Sequence, residues 1–412
     1  MTVGPDEVAT AAFRDERVAV LATLIRHVGD FQLAEDAVQD AFAAAVGAWR
    51  RDGVPDNPAA WITVAARRRA IDLVRRGRAQ ADRAERLAEL IRMDGDTHPA
   101  EPAAVPDDRL RLIFTACHPA LDLPARVALT LRVVGGLTTA EIARAFLVAE
   151  PTMGKRIVRA KKKIAAAGIP YRVPSEADLP ARLRGVLRVV YLIFNEGYLG
   201  SAGDRLVRAE LCAEAVRLGR LLADVLPAEP EVWGLLALML LHDARRASRV
   251  DGSGAWVGLP GQDTARWDGD SLAAGLSALD RGLRLGPAGE YLLQAAITAL
   301  QMRGADTGET DWPAIAHLYA RLAALTRSPV VAVNHAAAVG FTGGPEAGLS
   351  ALTPLLDDPA LGSYQPLYAT HADLLRRTGA TGAARAAYGR AIELSTNPVE
   401  RAELERRRDR LG

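Results

Sequence analysis

Cationic side chains between residues 152 and 163 have the types and spacing to bind a polyanion. All four lysines of the chain fall within nine positions there, although the protein has 51 lysines and arginines in total. A helix that buries Met153, Ile157, Ala160 and Ile164 would leave the polar residues on its other side. Those residues are Thr152, Lys155, Arg156, Arg159, Lys162 and Lys163. The helix dipole disfavours cations in the first turns, so we expect an external anion such as DNA phosphate to face them. A merely solvated cationic face is the alternative.

The residues before this segment predict a helix-turn-helix. Thr138 and Glu141 have the spacing of a capping box, which starts a first short helix. After a tight turn, Glu150 can cap the second helix, and Pro151 suits its first helical position. Two short helices joined by a turn, with the second one basic, are typical of a DNA-binding helix-turn-helix.

A carboxylate-rich helix and an arginine-rich helix are predicted near the N-terminus. Glu35, Asp36, Gln39 and Asp40 recur at spacings that place them on one helical face. After a loop, the segment from 61 to 76 mixes apolar residues with arginines. Residues 1–60 carry a net charge of −5, residues 61–92 carry +5, and residues 126–163 carry +7. An acidic block followed by two basic blocks indicates a polyanion partner together with a second, basic partner.

Composition predicts an all-α protein of several domains. The chain has 412 residues, only 5% are aromatic, and apolar residues recur at helical spacing throughout. Two cysteines cannot build a disulfide framework, which favours the cytoplasm. The first residues lack the apolar run of a signal peptide, and the most apolar stretch, 232–242, is about half the length that spans a bilayer. We therefore expect a cytoplasmic protein that does not contact a membrane.

These motifs, in this order, resemble regions 2 and 4 of an extracytoplasmic-function (ECF) sigma factor of the sigma-70 family. The resemblance rests on LAEDAVQDAF, NPAAW, the pattern RxxAIDxxRR and the helix-turn-helix, and it spans about residues 10–165. It implies a transcription initiation factor whose partners are core RNA polymerase and promoter DNA. Further segments, including VVYLIFNEGY, resemble a subgroup with a long C-terminal extension related to tetratricopeptide repeats (TPR).

The resemblance implies a role for each set of residues. Asp36, Gln39 and Asp40 match the surface that binds the clamp helices of the largest polymerase subunit, and region 4 would contact the flap region. The residues matched to the −10 element are Trp61, Arg67, Arg68, Arg75 and Arg76. Arg68 stands where the family motif has Asn, and Trp61 is better placed as a core residue than as a platform for a base. The set from Thr152 to Lys163 matches the helix that enters the −35 major groove. Gly154, within that helix, either allows close backbone approach or is simply tolerated.

We expect five segments along the chain. They are region 2 at 10–77, a flexible linker at 78–106, the region 4 helix-turn-helix at 107–166, a helical extension of uncertain role at 181–281, and TPR-like repeats at 282–412. Tyr368, Leu375, Gly379, Ala384, Tyr388 and Ala391 carry the repeat pattern. The extension would modulate activity, through a regulatory protein or a ligand.

No motif for catalysis, a metal or a cofactor accompanies these segments. The chain lacks GxSxG, HExxH and a nucleotide-binding glycine-rich loop, so we expect no enzyme, no catalytic residue and no cofactor. Cys117 and His118 are adjacent, and we expect a packed helix end there rather than a metal site.

The alternative function is a one-component helix-turn-helix regulator with a sensing repeat domain. It would use the basic helix but not the acidic face.

Overall fold

The protein is all-α, as predicted. The computed structural model describes residues 20–25, 28, 31–76, 105–146, 148–169, 171–198, 208–249, 251–252 and 256–411. These residues contain no β-strand. They divide into two compact units, Met1–Val190 and Tyr191–Gly412. The predicted linker at 78–106 lies outside the described residues except for its last two positions, which are helical.

The first unit contains α1 to α6 and most of α7. In chain order these are α1 (Phe31–Asp52), α2 (Pro58–Arg76), α3 (Val105–Ala116), α4 (Leu123–Val133), α5 (Thr139–Ala145), α6 (Glu150–Ala166) and α7 (Leu179–Tyr198). The division between the units falls within α7.

Two helices of the first unit, α2 and α4, begin at residues whose side chains cap them. Asn57 accepts a hydrogen bond from the Ala60 amide (3.0 Å) and so caps α2 after the Gly-Pro loop. The α1–α2 pair buries Trp49, whose ring contacts Trp61 edge-to-face at 5.8 Å. Asp122 caps α4 by accepting the Ala125 amide at 2.8 Å. Arg182 of α7 donates to the Phe114 carbonyl at 2.8 Å, which fixes the start of α7 on α3.

The second unit contains the remaining helices. They are α8 (Ala209–Val225), α9 (Pro230–Ala244), α10 (Gly269–Leu285), α11 (Glu290–Thr307), α12 (Trp312–Thr326), α13 (Pro329–Thr342), α14 (Pro345–Leu356), α15 (Gln365–Arg377), α16 (Thr381–Leu394) and α17 (Pro398–Asp409). Short 3-10 turns cover Arg246–Ser248, Leu259–Gly261, Thr264–Arg266 and Pro359–Leu361.

Helix α9 is the core of the second unit. It is apolar on every side and contacts α8, α10 and α11, so it is buried all round. Two glycines let these helices approach closely. A Cβ atom on Gly234 would lie 2.6 Å from the Leu292 amide nitrogen, and one on Gly282 would lie 2.6 Å from the Leu292 side chain. No helix among the described residues combines the length and apolarity needed to cross a bilayer.

A half-buried carboxylate from α9, that of Glu231, caps helix α11. Glu231 accepts the backbone amides of Gly289 (3.1 Å), Tyr291 (2.7 Å) and Leu292 (3.2 Å) at the start of α11. Gly289, at the cap position, has no side chain to do this. Burial raises the pKa of Glu231, and the three amide hydrogen bonds oppose that rise.

The cationic residues that follow α9 make their contacts within the second unit. Arg249 is 3% exposed, and its guanidinium stacks 3.8 Å from the Tyr198 ring centroid while donating to the Tyr198 carbonyl. Arg246 pairs with Asp243 at 3.0 Å, and Arg245 lies 3.2 Å from His242. Burial lowers the pKa of His242 well below its usual value, so this ring is neutral beside the arginines. These cations stabilise the second unit internally.

Antiparallel helix pairs follow toward the C-terminus. Gly379 has a φ of +82° in the turn between α15 and α16, and Gly344 has a φ of +92° between α13 and α14. Ala372, Ala387, Tyr388, Ala391 and Leu404 form one core cluster, against which Tyr368 and Leu375 pack. That these helix pairs are tetratricopeptide repeats stays a prediction. Trp256, in the loop before α10, packs beneath Arg407 of α17 at 5.5 Å.

The Glu231 cap generates a stability prediction. Glu231→Ala should lower the free energy of unfolding by roughly 2–3 kcal/mol, because three backbone amides at the start of α11 lose their acceptor. Glu231→Gln retains a carbonyl acceptor and should cost less. The measurement is urea unfolding of the full chain followed by circular dichroism. Glu210→Ala, at an exposed glutamate in the first turn of α8, is the matched control and should leave the midpoint unchanged. Equal midpoints for Glu231→Ala and the control would contradict the capping role.

Candidate nucleic-acid and polymerase interfaces

Helix α6 separates its apolar and cationic residues onto two faces, as predicted. Its buried residues are Met153, Ile157, Ala160 and Ile164. Those that face outward are Thr152, Lys155, Arg159, Lys162 and Lys163, which are exposed, and Arg156, which is half-buried. The predicted −35 set therefore forms one continuous surface on this helix.

The cations of α6 border a groove against the start of α4. A cavity of about 390 Å³ is lined by Leu121, Asp122 and Ala125 on one side. Its other wall consists of Thr152, Lys155, Arg156, Arg159, Ala160 and Lys163. Such a groove offers donors and positive charge to a phosphate backbone, whereas Asp122 is already engaged in capping α4.

The capping box of the helix-turn-helix is present, but the cap of α6 differs from the prediction. The Thr138 amide donates to Glu141 at 2.7 Å, and the Glu141 amide donates to the Thr138 hydroxyl at 3.1 Å. At α6, Ala149 occupies the cap without a side-chain hydrogen bond, so Glu150 and Pro151 are the first two helical residues. The prediction of a Glu150 cap was wrong by one position, and Pro151 still fits because the first turn needs no amide donor there.

Packing against the described residues does not require glycine at position 154. A Cβ atom at this position would lie 3.8 Å from the Thr139 methyl group, which is an ordinary contact. An alanine would therefore fit and would favour the helix by about 1 kcal/mol. The part of the chain that the structure describes therefore gives no packing reason for glycine at this half-buried position beside the cationic surface.

The residues matched to the −10 element are only partly brought together. Trp61 is half-buried against Trp49, as the core interpretation expects. On α2, Arg68 is exposed and Arg67 is half-buried. The backbones of Arg75 and Arg76 belong to α2, but their side chains lie outside the described set.

The acidic surface on α1 consists of Asp36, Gln39 and Asp40, all exposed. Asp40 pairs with Arg69 of α2 at 2.5 Å, with both side chains partly exposed. This contact links α1 to α2 at the surface. It also leaves the surface less acidic than its sequence indicates.

The prediction that Glu35 shares the exposed acidic face of α1 was wrong. Its side chain is 1% exposed and pairs with Arg132 of α4 at 2.9 Å and with Lys161 of α6. Lys161 is 10% exposed, so the fourth lysine is engaged inside the protein. Glu35 lies three and seven residues before the buried Val38 and Phe42, and Lys161 lies between Ile157 and Ile164 at helical spacing. Both residues therefore fall on apolar stripes, and that spacing was the signal of their burial.

Cys117 and His118 belong to the packed end of α3. The Cys117 sulfur lies 3.3 Å from the Thr130 hydroxyl, and burial raises the pKa of the thiol to about 11. His118 accepts the Ala120 amide at 3.2 Å in the turn that follows. The pKa of His118 is lowered mainly by burial. The positive charges of Arg182 and Arg126 lower it further. Each side chain thus has a structural contact of its own.

Comparisons with known protein families identify three segments of the chain. Sigma-70 region 2 matches residues 12–80, and sigma-70 region 4 matches residues 111–164. Residues 182–283 match a family of unknown function, DUF6596. The two sigma-70 segments contain the acidic surface of α1 and the cationic surface of α6.

Two kinds of relative match the chain. The uncharacterized protein R00370 of Rhizobium meliloti (strain 1021) is 41% identical over 406 residues, which cover 96% of this chain and 94% of the relative. The probable ECF RNA polymerase sigma factor SigI of Mycobacterium tuberculosis is 27% identical over 205 residues. That alignment covers 48% of this chain and 70% of SigI, and SigI from a second strain matches equally.

These matches agree with the motifs found in the sequence and with the all-α fold. They comprise a relative aligned over nearly the whole chain, the two sigma-70 regions and the C-terminal DUF6596 segment. The chain belongs to the sigma-70 family, as an ECF-type sigma factor with a long C-terminal helical extension.

Proposed function

We propose that this sigma factor binds core RNA polymerase through Asp36, Gln39 and Asp40 and reads promoter DNA through α6 and α2. The observation that carries the proposal is the continuous cationic surface of α6, opposite its buried apolar face. Region 4 would contact the polymerase flap, and α6 would lie in the −35 major groove. The protein would act by binding and by helping to melt the −10 region, not as an enzyme.

The cationic surface can be tested by the salt dependence of promoter binding. Lys155→Ala, Arg159→Ala and Lys162→Ala should each weaken binding of the holoenzyme to a promoter fragment. Each should also lower the slope of log K against log salt by about 1, because one phosphate contact is lost. Lysine-to-arginine replacements at 155, 162 and 163 should preserve the slope.

A matched control for that experiment is Arg172→Ala, which removes an exposed cation of the first unit outside this surface. It should leave affinity and slope unchanged. Parallel losses in the control and the three α6 variants would show a general charge effect and contradict a specific α6 contact.

The acidic surface can be tested by charge reversal. Asp36→Arg with Asp40→Arg should abolish binding to core polymerase in a pull-down with purified components, because like charges would face the basic clamp surface. Arg69→Ala breaks the Asp40 ion pair without reversing charge and should retain binding. Glu176→Arg, at an exposed residue elsewhere, controls for net charge. Retained binding by the double variant would exclude this surface and favour the one-component regulator.

The C-terminal extension would modulate initiation. Support comes from its size as a second compact unit and from its apolar cavity of about 620 Å³ between α10 and α11, which Trp267, Leu276 and Leu300 help to line. To test this role, the chain is best ended at Val190, because Arg182 then keeps its hydrogen bond to the Phe114 carbonyl. Ending the chain at Pro180 would remove Arg182 and this contact.

Transcription in vitro by the full chain and by the chain ending at Val190 tests this role. We expect different promoter output at equal occupancy of the polymerase, because the second unit would supply a partner or ligand surface. Circular dichroism and the polymerase pull-down confirm that the shortened chain folds and binds. Equal output by two equally folded proteins would contradict modulation.

A further inference from the structure

Helices α10 and α11 border a cavity that none of the proposed contacts with polymerase or DNA uses. Both helices pack on α9, and the cavity between them has a volume of about 620 Å³. Its α10 wall contains Leu272, Leu276 and Leu279, which recur at helical spacing. The α11 wall contains the small residues Ala296 and Ala299, which leave the space open. Sites for small organic ligands have volumes of about 300–1,000 Å³, so this cavity has the size of a ligand site.

The exposure of two leucines on α10 marks the extent of the cavity. Leu276 lines the cavity and is 45% exposed, whereas Leu283, on the same side of the helix, is 48% exposed and lies outside the lining. The lining on α10 runs from Gly269 to Leu279, which is about 15 Å of helix. A small molecule in the cavity would therefore cover Leu276 and leave Leu283 in water. A protein helix laid along α10 would cover both leucines.

One end of the cavity is polar, where α10 begins and α11 approaches its end. Thr264 and Trp267 line it from the loop before α10, and Arg303 and Asp306 line it from α11. Arg303 and Asp306 are exposed and three residues apart, so they are neighbours on the helix surface. Within the part of the chain that the structure describes, neither of them forms an ion pair. Asp268, also near this end, is engaged in capping α10. One positive and one negative charge thus remain available to a ligand.

These two charges select the head group of the ligand. A head with only a negative charge would be attracted by Arg303 and repelled by Asp306, and a head with only a positive charge would meet the reverse. A zwitterionic head, with an ammonium group beside a carboxylate or phosphate group, complements both side chains. The apolar walls suit a hydrocarbon body, because covering them removes apolar surface from water.

We infer that the cavity between α10 and α11 binds a small amphipathic molecule, with its apolar body between Leu276 and Ala299 and its zwitterionic head at Arg303 and Asp306. The inference rests on the proposed function, in which the second unit modulates initiation, and it names the class of ligand that acts through this unit. The bounded length of the cavity and the opposite charges at one end favour this occupant over a protein helix.

Isothermal titration calorimetry of the full-length protein tests the site with dodecylphosphocholine, kept below its critical micelle concentration. We expect a single saturable site. Dodecyl maltoside, which has the same tail and an uncharged head, should bind about fivefold more weakly. Leu276→Gln should weaken the binding of both probes about tenfold, because a polar group replaces part of the apolar wall. Leu283→Gln, at a similarly exposed leucine of the same helix, is the matched control and should leave both affinities unchanged.

Removal of each charge tests the position of the head. Arg303→Gln should bind dodecyltrimethylammonium more tightly than the native protein does, because the repelling cation is gone. Asp306→Asn should bind laurate more tightly for the converse reason. Both variants should lose the preference for dodecylphosphocholine over dodecyl maltoside. A purely structural role of either residue would weaken all four probes alike. Arg321→Gln, at an exposed arginine of α12 outside the cavity, should change none of these affinities.

The outcomes separate this inference from the proposed function. Binding that does not saturate, or equal losses in Leu276→Gln and Leu283→Gln, would overturn the ligand site. Equal losses together with weaker polymerase binding would show instead that a protein helix docks on α10. Saturable binding that leaves promoter output unchanged in transcription in vitro would refute modulation and leave the site standing. Circular dichroism checks each fold. If Leu276→Gln unfolds, Ala299→Leu decides the matter, because it fills the cavity and should abolish binding.

Discussion

A carboxylate removed from water must be paired with cations, and Glu35 places that constraint at the centre of the first unit. Its partners come from α4 and α6, so the orientation of the helix-turn-helix on α1 follows from satisfying one buried charge. Turning α6 by a single residue, about 100°, would move Lys161 away from Glu35 and expose part of the apolar stripe. The ion pair and the buried stripe therefore select the same rotation of α6. That rotation directs the remaining cations outward.

The four clustered lysines of this arginine-rich chain therefore lie in two different environments. Lys155, Lys162 and Lys163 are solvent-exposed on the cationic surface, while Lys161 supplies a compact ammonium group to a nearly buried carboxylate. Lysine presents a point charge on a flexible stem, whereas arginine presents a planar fork that needs more room. Arg132 binds the same carboxylate from the other side. One glutamate therefore receives one cation of each type, and the neighbouring lysines remain available for an external anion.

Local pattern predicted the parts of the fold that depend on local chemistry. The buried face of α6 and the Thr138–Glu141 capping box follow from helical periodicity and from residues three apart. Sequence reasoning failed where a distant partner decides the outcome. Glu35 and Arg249 have charged side chains that ordinarily face water, and only the arrangement of other helices makes their burial possible. The cap at Ala149 was missed because a turn can place a residue without a polar side chain at that position.

The charges of the extension argue against an extended DNA-binding surface. Arg246 and Arg249 make contacts within the unit, and on α17 Glu403 pairs with both Arg406 and Arg407, at 2.7 and 2.8 Å. Residues 175–412 carry 25 basic and 28 acidic side chains, a net charge of −3, which repels a polyanion. By contrast, the cavity between α10 and α11 has mostly apolar walls. If this unit modulates initiation, we therefore expect it to act by binding a protein or a largely apolar ligand. We do not expect it to act by extending the contact with promoter DNA.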